Sequence, residues 1–219
     1  MTKRTRTLAR AVVRAGDKSS AVGFTESKSY WELRYASGGS SGRGSYGAFA
    51  KFKARFLNSF VAEHGIRSVI EFGCGDGNQL SLAEYPRYLG LDVSENAIVR
   101  CRSRFSHDPT KAFASMGEHA GQRADLAISL DVIYHLVEDA VFFGYMATLF
   151  AAADRFVIIY SSDVEIARSS APHVRHRCFS AWVASHASAW QLSEHVHAPL
   201  RLRIIRRPSA GFFVYERRA

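Results

Sequence analysis

A chain of 219 residues, 47% hydrophobic and 22% charged, is long enough for one sizeable core, short for two, and too apolar to be a disordered tail. No stretch approaches the roughly 18 uninterrupted apolar residues of a membrane span, and Cys74, Cys101 and Cys178 are too scattered for a disulfide framework or a structural zinc site. The net charge of +9 gathers at the ends, with Lys3, Arg4, Arg6, Arg10 and Arg14 at one and Arg201, Arg203, Arg206, Arg207, Arg217 and Arg218 at the other.

Residues 1–23 read as a basic, flexible extension with one marginal helix over 8–14. No apolar signal-peptide core follows these charges, and the scattered, odd-numbered cysteines make a reducing cytoplasm the expected location. Residues 24–65 read as a helical or lid segment. Tyr30, Trp31 and Tyr35 come first, then a run from Gly38 to Gly44 made almost wholly of glycine and serine, which predicts a flexible loop. Phe49, Phe52, Phe56, Phe60 and Val61 share one helical face, and Gly65 stops that helix.

From residue 66 onward strands and helices alternate. Strands are expected over 68–72, 88–92, 111–115, 124–130 and 155–160. Helices are expected over 79–85, 95–105 (with Ser94 as N-cap) and 139–152. Such alternation implies parallel βαβ units covered on both faces. Two further strand-like runs, 191–197 and 212–217, lie without an intervening helix and suggest an antiparallel pair closing the sheet.

The most informative point is the turn leaving the first strand. A β-branched run enters Glu71, Gly73, Gly75 and Gly77, and glycines there let the backbone approach a ligand closely. Asp92 ends the next apolar run, 21 residues beyond Glu71, the spacing at which an acid grips ribose hydroxyls in a βαβ nucleotide site. Asn78 stands where a dinucleotide fingerprint needs its third glycine. The stretch resembles motif I of the class I S-adenosylmethionine (SAM)-dependent methyltransferases, E/D-x-G-x-G-x-G. The resemblance implies a Rossmann-like, seven-stranded, mostly parallel sheet with an antiparallel last strand, and SAM as cofactor. It places the cofactor's amino-acid end near Glu71, Gly73 and Gly75, and its ribose on Asp92.

Ligands in open α/β sheets sit beyond the carboxyl ends of the strands. After the fourth strand, Asp131-Val-Ile-Tyr-His135 looks like the D-V-x-x-H form of motif IV, which implies Asp131 on the cofactor and His135 beside the reacting methyl group. Tyr134 is a candidate substrate contact. The proline motif of enzymes that methylate adenine or glutamine nitrogens is missing here. After the fifth strand come His173, Arg175, His176 and Arg177. The histidines are candidate bases, and the arginines candidate forks for an anionic acceptor. The H-x-x-H spacing has no acidic ligand near it in sequence, so no metal is assigned. Tyr30-Trp-Glu-Leu-Arg-Tyr35 resembles the lead-in of a bacterial methyltransferase group, which implies a lid in which Tyr30 and Trp31 touch SAM.

These readings converge on a SAM-dependent methyltransferase acting on a polar or anionic small molecule, by O-methylation of a hydroxyl on a sugar, glycan precursor or secondary metabolite. Two other classes stay open: an RNA or ribosome methyltransferase, supported by the +9 charge, and a non-catalytic partner subunit that keeps the pocket.

Overall fold

In a computed structural model, residues 24–166, 171–199 and 209–218 are described; the expected helix over 8–14 and most of the basic ends lie outside them. The apolar runs pair as one sheet of seven strands: β1 (Val69–Phe72), β2 (Tyr88–Asp92), β3 (Lys111–Ser115), β4 (Ala124–Leu130), β5 (Ala153–Ser161), β6 (Trp190–His197) and β7 (Gly211–Arg217). Their spatial order is β3-β2-β1-β4-β5-β7-β6. Strands β1 to β5 pair in parallel, and β7 runs antiparallel between β5 and β6. This is the Rossmann-like methyltransferase architecture. The chain steps outward from β1 to β3 and then returns to β4 on the other side of β1. That reversal opens a crevice above the carboxyl ends of β1 and β4.

Helices α1 (Ser27–Ala36), α2 (Gly47–Glu63), α3 (Glu95–Arg104), α4 (Asp139–Ala151) and α5 (Phe179–His186) surround the sheet. β1 is buried along its whole length, as a parallel strand covered on both faces must be. On one face Ile70, Phe72, Val157 and Ile159 pack with Phe142, Met146 and Leu149 of α4 and Phe179 of α5. On the other, Val69, Leu126, Ile128 and Ile158 pack with Leu57 and Phe60 of α2 and Ile98 of α3. Ser94 caps α3, accepting from Ala97 N. Among the described residues no helix is long and apolar enough to cross a membrane.

Four expectations need correction. The helix expected over 79–85 is a single 3-10 turn, Leu80–Leu82, because Ala83 adopts an extended conformation (φ −94°, ψ 144°) and Pro86 follows it. A helix not expected, α5, covers the sheet before β6. The buried face of α2 is Ala50, Lys53, Ala54, Leu57, Phe60 and Val61, rotated from the expected phenylalanine stripe; Phe52 and Phe56 are only partly buried, against the second core. The glycine–serine loop is tied down rather than loose. Asp76 Oδ2 accepts from Ser41 N at 2.9 Å and Tyr46 Oη at 2.7 Å, Ser41 Oγ accepts from Asp76 N at 2.9 Å, and Asn78 Nδ2 donates to Ser45 O at 2.7 Å.

Candidate active site

The turn after β1 is pinned to β2, where Gly73 N and Cys74 N both donate to Leu91 O, at 2.7 and 3.0 Å. Gly75 has φ +58°, and a Cβ on it would lie 2.2 Å from Ser41 Oγ and 2.9 Å from Tyr35 Oη. Only glycine lets the turn approach Tyr35 and Ser41 this closely. Asp92, at the carboxyl end of β2, accepts from Gly75 N at 2.8 Å and from Ser94 N at 2.9 Å. Burial pushes its carboxyl up to about 6 against the pull of these backbone donors. Glu71 accepts from Tyr88 Oη at 2.6 Å, and burial pushes it up to about 7, with the Tyr88 hydrogen bond and Lys53 opposing the rise. Two adjoining acids are therefore held close to their protonation points by lack of water.

Asp131 leaves β4 with φ +61°, the one non-glycine residue at positive φ among those described. An L-residue holds that conformation only when its surroundings impose it. Here Lys53 Nζ lies 2.6 Å from Oδ2, Tyr134 Oη donates to Oδ1 at 2.8 Å, and Asp131 N donates to Tyr160 O at 2.9 Å. Lys53 is fully buried and its Nζ lies 5.3 Å from the centre of the Tyr160 ring. Sequence reasoning missed Lys53. The available signal was its place on the 50–54–57–61 stripe of α2.

Helix α1 roofs the crevice. At its start Ser27 N and Oγ bond the Glu138 carboxylate at 2.7 and 2.5 Å; at its end Arg100 of α3 donates to Tyr35 O and Gly39 O. Trp31 meets the His135 ring edge-on at 4.9 Å, while Tyr30 stacks on His173 at 4.3 Å. His135 Nδ1 lies 2.9 Å from His173 O, so Nδ1 carries the hydrogen and Nε2 the lone pair. Burial, the largest influence, pulls His135 down to about 4, so the ring stays neutral at physiological pH.

A cavity of about 350 Å³ lies under this roof, within the range of small-molecule sites. Of the residues picked from the sequence, Trp31, Glu71, Gly73, Gly75, Asp92, Asp131 and His135 line it. Tyr30, Tyr134, His173, His176, Arg175 and Arg177 are not among its lining residues. Tyr134 holds Asp131, and His176 Nδ1 lies 2.7 Å from Ser162 Oγ. Arg175 and Arg177 both reach Asp139, at 3.0 and 2.5 Å. Arg177 also donates to Leu136 O and Val137 O and lies over the Phe142 ring, so its charge ties this loop to the start of α4. The structure does not bring the arginine pair to the cavity. Among the described residues no group of three or more His, Cys, Asp or Glu is placed to hold a metal ion.

The cavity's chemistry suits SAM. The carboxyl groups of buried Glu71 and Asp92 and of half-buried Asp131 line it, and SAM carries an ammonium, a sulfonium and ribose hydroxyls for them to meet. Val93, Met116 and Leu130 offer apolar walls for an adenine. A cradle of this charge would repel a pyrophosphate.

A family model described as a methyltransferase domain matches residues 70–157, from β1 into β5. No curated protein matches the sequence. Among solved structures, the chain is similar to the N-methyltransferase NodS from Bradyrhizobium japonicum WM9 in complex with S-adenosyl-L-homocysteine (SAH): TM-score 0.69, 15% identity, covering 88% of this chain and 99% of that one. It is also similar to magnesium protoporphyrin IX methyltransferase (ChlM) from Synechocystis PCC 6803 with bound SAM: TM-score 0.63, 15% identity, 90% and 100% coverage. A third is the methyltransferase domain of bacterial CtHen1-C: TM-score 0.61, 17% identity, 76% and 97% coverage. Identities this low speak to the fold alone.

Proposed function

Because residues 70–157 form a methyltransferase domain within the class I SAM-dependent fold, we propose that this SAM-dependent methyltransferase methylates the hydroxyl of a polar small molecule, with His135 as the base. The observation that carries this reading is the fixed tautomer of His135: Nδ1 is held by His173 O at 2.9 Å, and the ring lines the cavity together with Asp131. Bound SAM supplies a methyl group already activated on a sulfonium, so the protein's work is mainly positioning.

Asp92 would hold the ribose through the lone pairs its backbone donors leave open, and Glu71 the amino-acid end. Asp131, oriented from both sides by Lys53 and Tyr134, would present negative charge to the sulfonium. With SAM bound, the methyl carbon would pass to the acceptor oxygen and the carbon–sulfur bond's electron pair would stay on sulfur. His135 Nε2 would take the hydroxyl proton, leaving a methyl ether, SAH and an imidazolium. Trp31 and Tyr35 above the crevice would keep water from the reacting centre. Leu136, Val141 and Trp31 among the lining residues support an acceptor with some apolar surface. The anionic acceptor loses its main support, since Arg175 and Arg177 are engaged elsewhere.

Incubating the full chain with methyl-labelled SAM and fractionated cell extract tests this. A hydroxylated small molecule gaining about 14 Da is the expected product. Label in RNA, or on an amine nitrogen as NodS is named for, would overturn the hydroxyl reading.

A further inference from the structure

Arg177 is charged yet only 7% exposed, and its guanidinium is spent on the short stretch that follows His135. Nη1 donates to Asp139 Oδ1 at 2.5 Å, and Nη2 donates to Val137 O at 2.7 Å and Leu136 O at 3.3 Å, with the Phe142 ring 4.8 Å away. A buried guanidinium is costly unless partners of this kind are fixed around it. Two of these partners are the carbonyls directly after His135. Arg177 itself lies four residues after His173, whose carbonyl oxygen accepts from His135 Nδ1 at 2.9 Å. One side chain therefore grips both halves of that hydrogen bond: the segment that carries the ring and the segment that carries its acceptor.

The ring depends on that acceptor. Among the described residues, His173 O is the one hydrogen-bond partner of the His135 imidazole. The rings of Trp31, Tyr134 and His173 lie 4.9, 4.6 and 5.6 Å from it and set its plane, but such contacts do not decide which nitrogen carries the hydrogen. Left to itself, a neutral histidine prefers the hydrogen on Nε2, whereas a base acting through Nε2 needs it on Nδ1. Residues 171–178 form neither helix nor strand, so no ladder holds His173 in place. Its segment is tied by Arg175 N, which donates to Tyr134 O at 2.8 Å, by His176 Nδ1, 2.7 Å from Ser162 Oγ, and by the buried charge of Arg177. We propose that Arg177 is a positioning residue for methyl transfer, which holds His173 O against His135 Nδ1 and so keeps the lone pair on Nε2. The proposal rests on the reading of His135 as the base.

Nitrogen NMR of the full, ligand-free chain, with histidine labelled at its ring nitrogens, tests it near neutral pH. The His135 signals are identified by their loss in His135→Gln. The unmodified chain should show a protonated Nδ1 and a lone-pair Nε2. In Arg177→Met both His135 signals should move toward the opposite pattern. The dissociation constant for SAH, read by calorimetry, should stay within about twofold, as for sites that share no partner. Arg177→Lys keeps a charge on a similar stem but loses the fork that reaches Asp139, Val137 and Leu136 together, so its His135 signals should move partway. This second variant decides the question if the methionine variant does not fold. Unmoved His135 signals in a folded Arg177→Met, or in Arg177→Lys where only that variant folds, would mean a purely structural clamp and overturn the proposal. Moved signals with a larger loss of SAH affinity would overturn it too, since the whole crevice would then have shifted. A protonated Nε2 in the unmodified chain would instead overturn the reading of His135 as the base, and this inference with it.

Discussion

Replacing Lys53 with methionine removes the cation from a pair formed by a lysine with no exposed side-chain surface and an aspartate with 15%. Removing one partner of a buried pair costs about 3–5 kcal/mol, because the remaining charge is left uncompensated. Asp131 keeps some contact with water and its bond from Tyr134 at 2.8 Å, which places the expected loss at the low end, about 3 kcal/mol. For a chain of this size that corresponds to a melting point roughly 6–12 °C lower. The double variant Lys53→Met/Asp131→Asn removes the stranded charge, and asparagine tolerates the positive φ at this position. It should regain about 2 kcal/mol relative to the sum of the two single losses. Urea unfolding of the ligand-free chain measures all three. A Lys53→Met loss below about 0.5 kcal/mol, or additive losses in the double variant, would refute the idea that this pair sets the geometry of Asp131.

His135→Ala should slow turnover by about 10²–10⁴-fold and leave SAH affinity nearly unchanged; a loss under 10-fold in initial-rate assays would remove His135 as the base. Glu71 is raised from 4.5 to about 7 by burial, so between those pH values the folded chain holds a proton that the unfolded chain has released. Its contribution to stability is complete below about pH 4.5 and is lost as pH rises to about 7. Glu71→Gln has nothing to ionise there. Its stability relative to the unmodified chain should grow by roughly 3 kcal/mol across that window, and a flat difference in denaturant melts would contradict the assigned burial. Gly75→Ala places a methyl 2.2 Å from Ser41 Oγ at φ +58°. It should cost about 1–3 kcal/mol and speed amide exchange over residues 35–46; unchanged exchange would argue that this segment does not rest on the turn.

The sheet was legible because its strands are short, apolar and separated by helical spacing, and because Glu71, Gly73, Gly75 and Asp92 follow a local pattern that needs no knowledge of distant contacts. Lys53 was not, since its burial depends on Asp131, 78 residues away; in sequence it is one of two lysines beside Arg55 on a basic helix. The loop around Ser41 shows the same limit. Its glycines and serines read as loose, yet its order comes from Asp76, a variable position inside the glycine motif. Density misled in the opposite direction at 173–177, where two arginines and two histidines suggested a substrate pocket. Arg177 is only 7% exposed, bonded to the start of α4, and the arginine-rich stretch works chiefly as a clamp.

A crystal structure of the full chain with SAH tests the site most directly. The cofactor should lie across Gly73 and Gly75 with its ribose hydroxyls on Asp92, its adenine against Val93 and Met116, and its sulfur facing Asp131 and His135. SAH bound anywhere else, or a crevice still vacant at saturating SAH, would contradict the account.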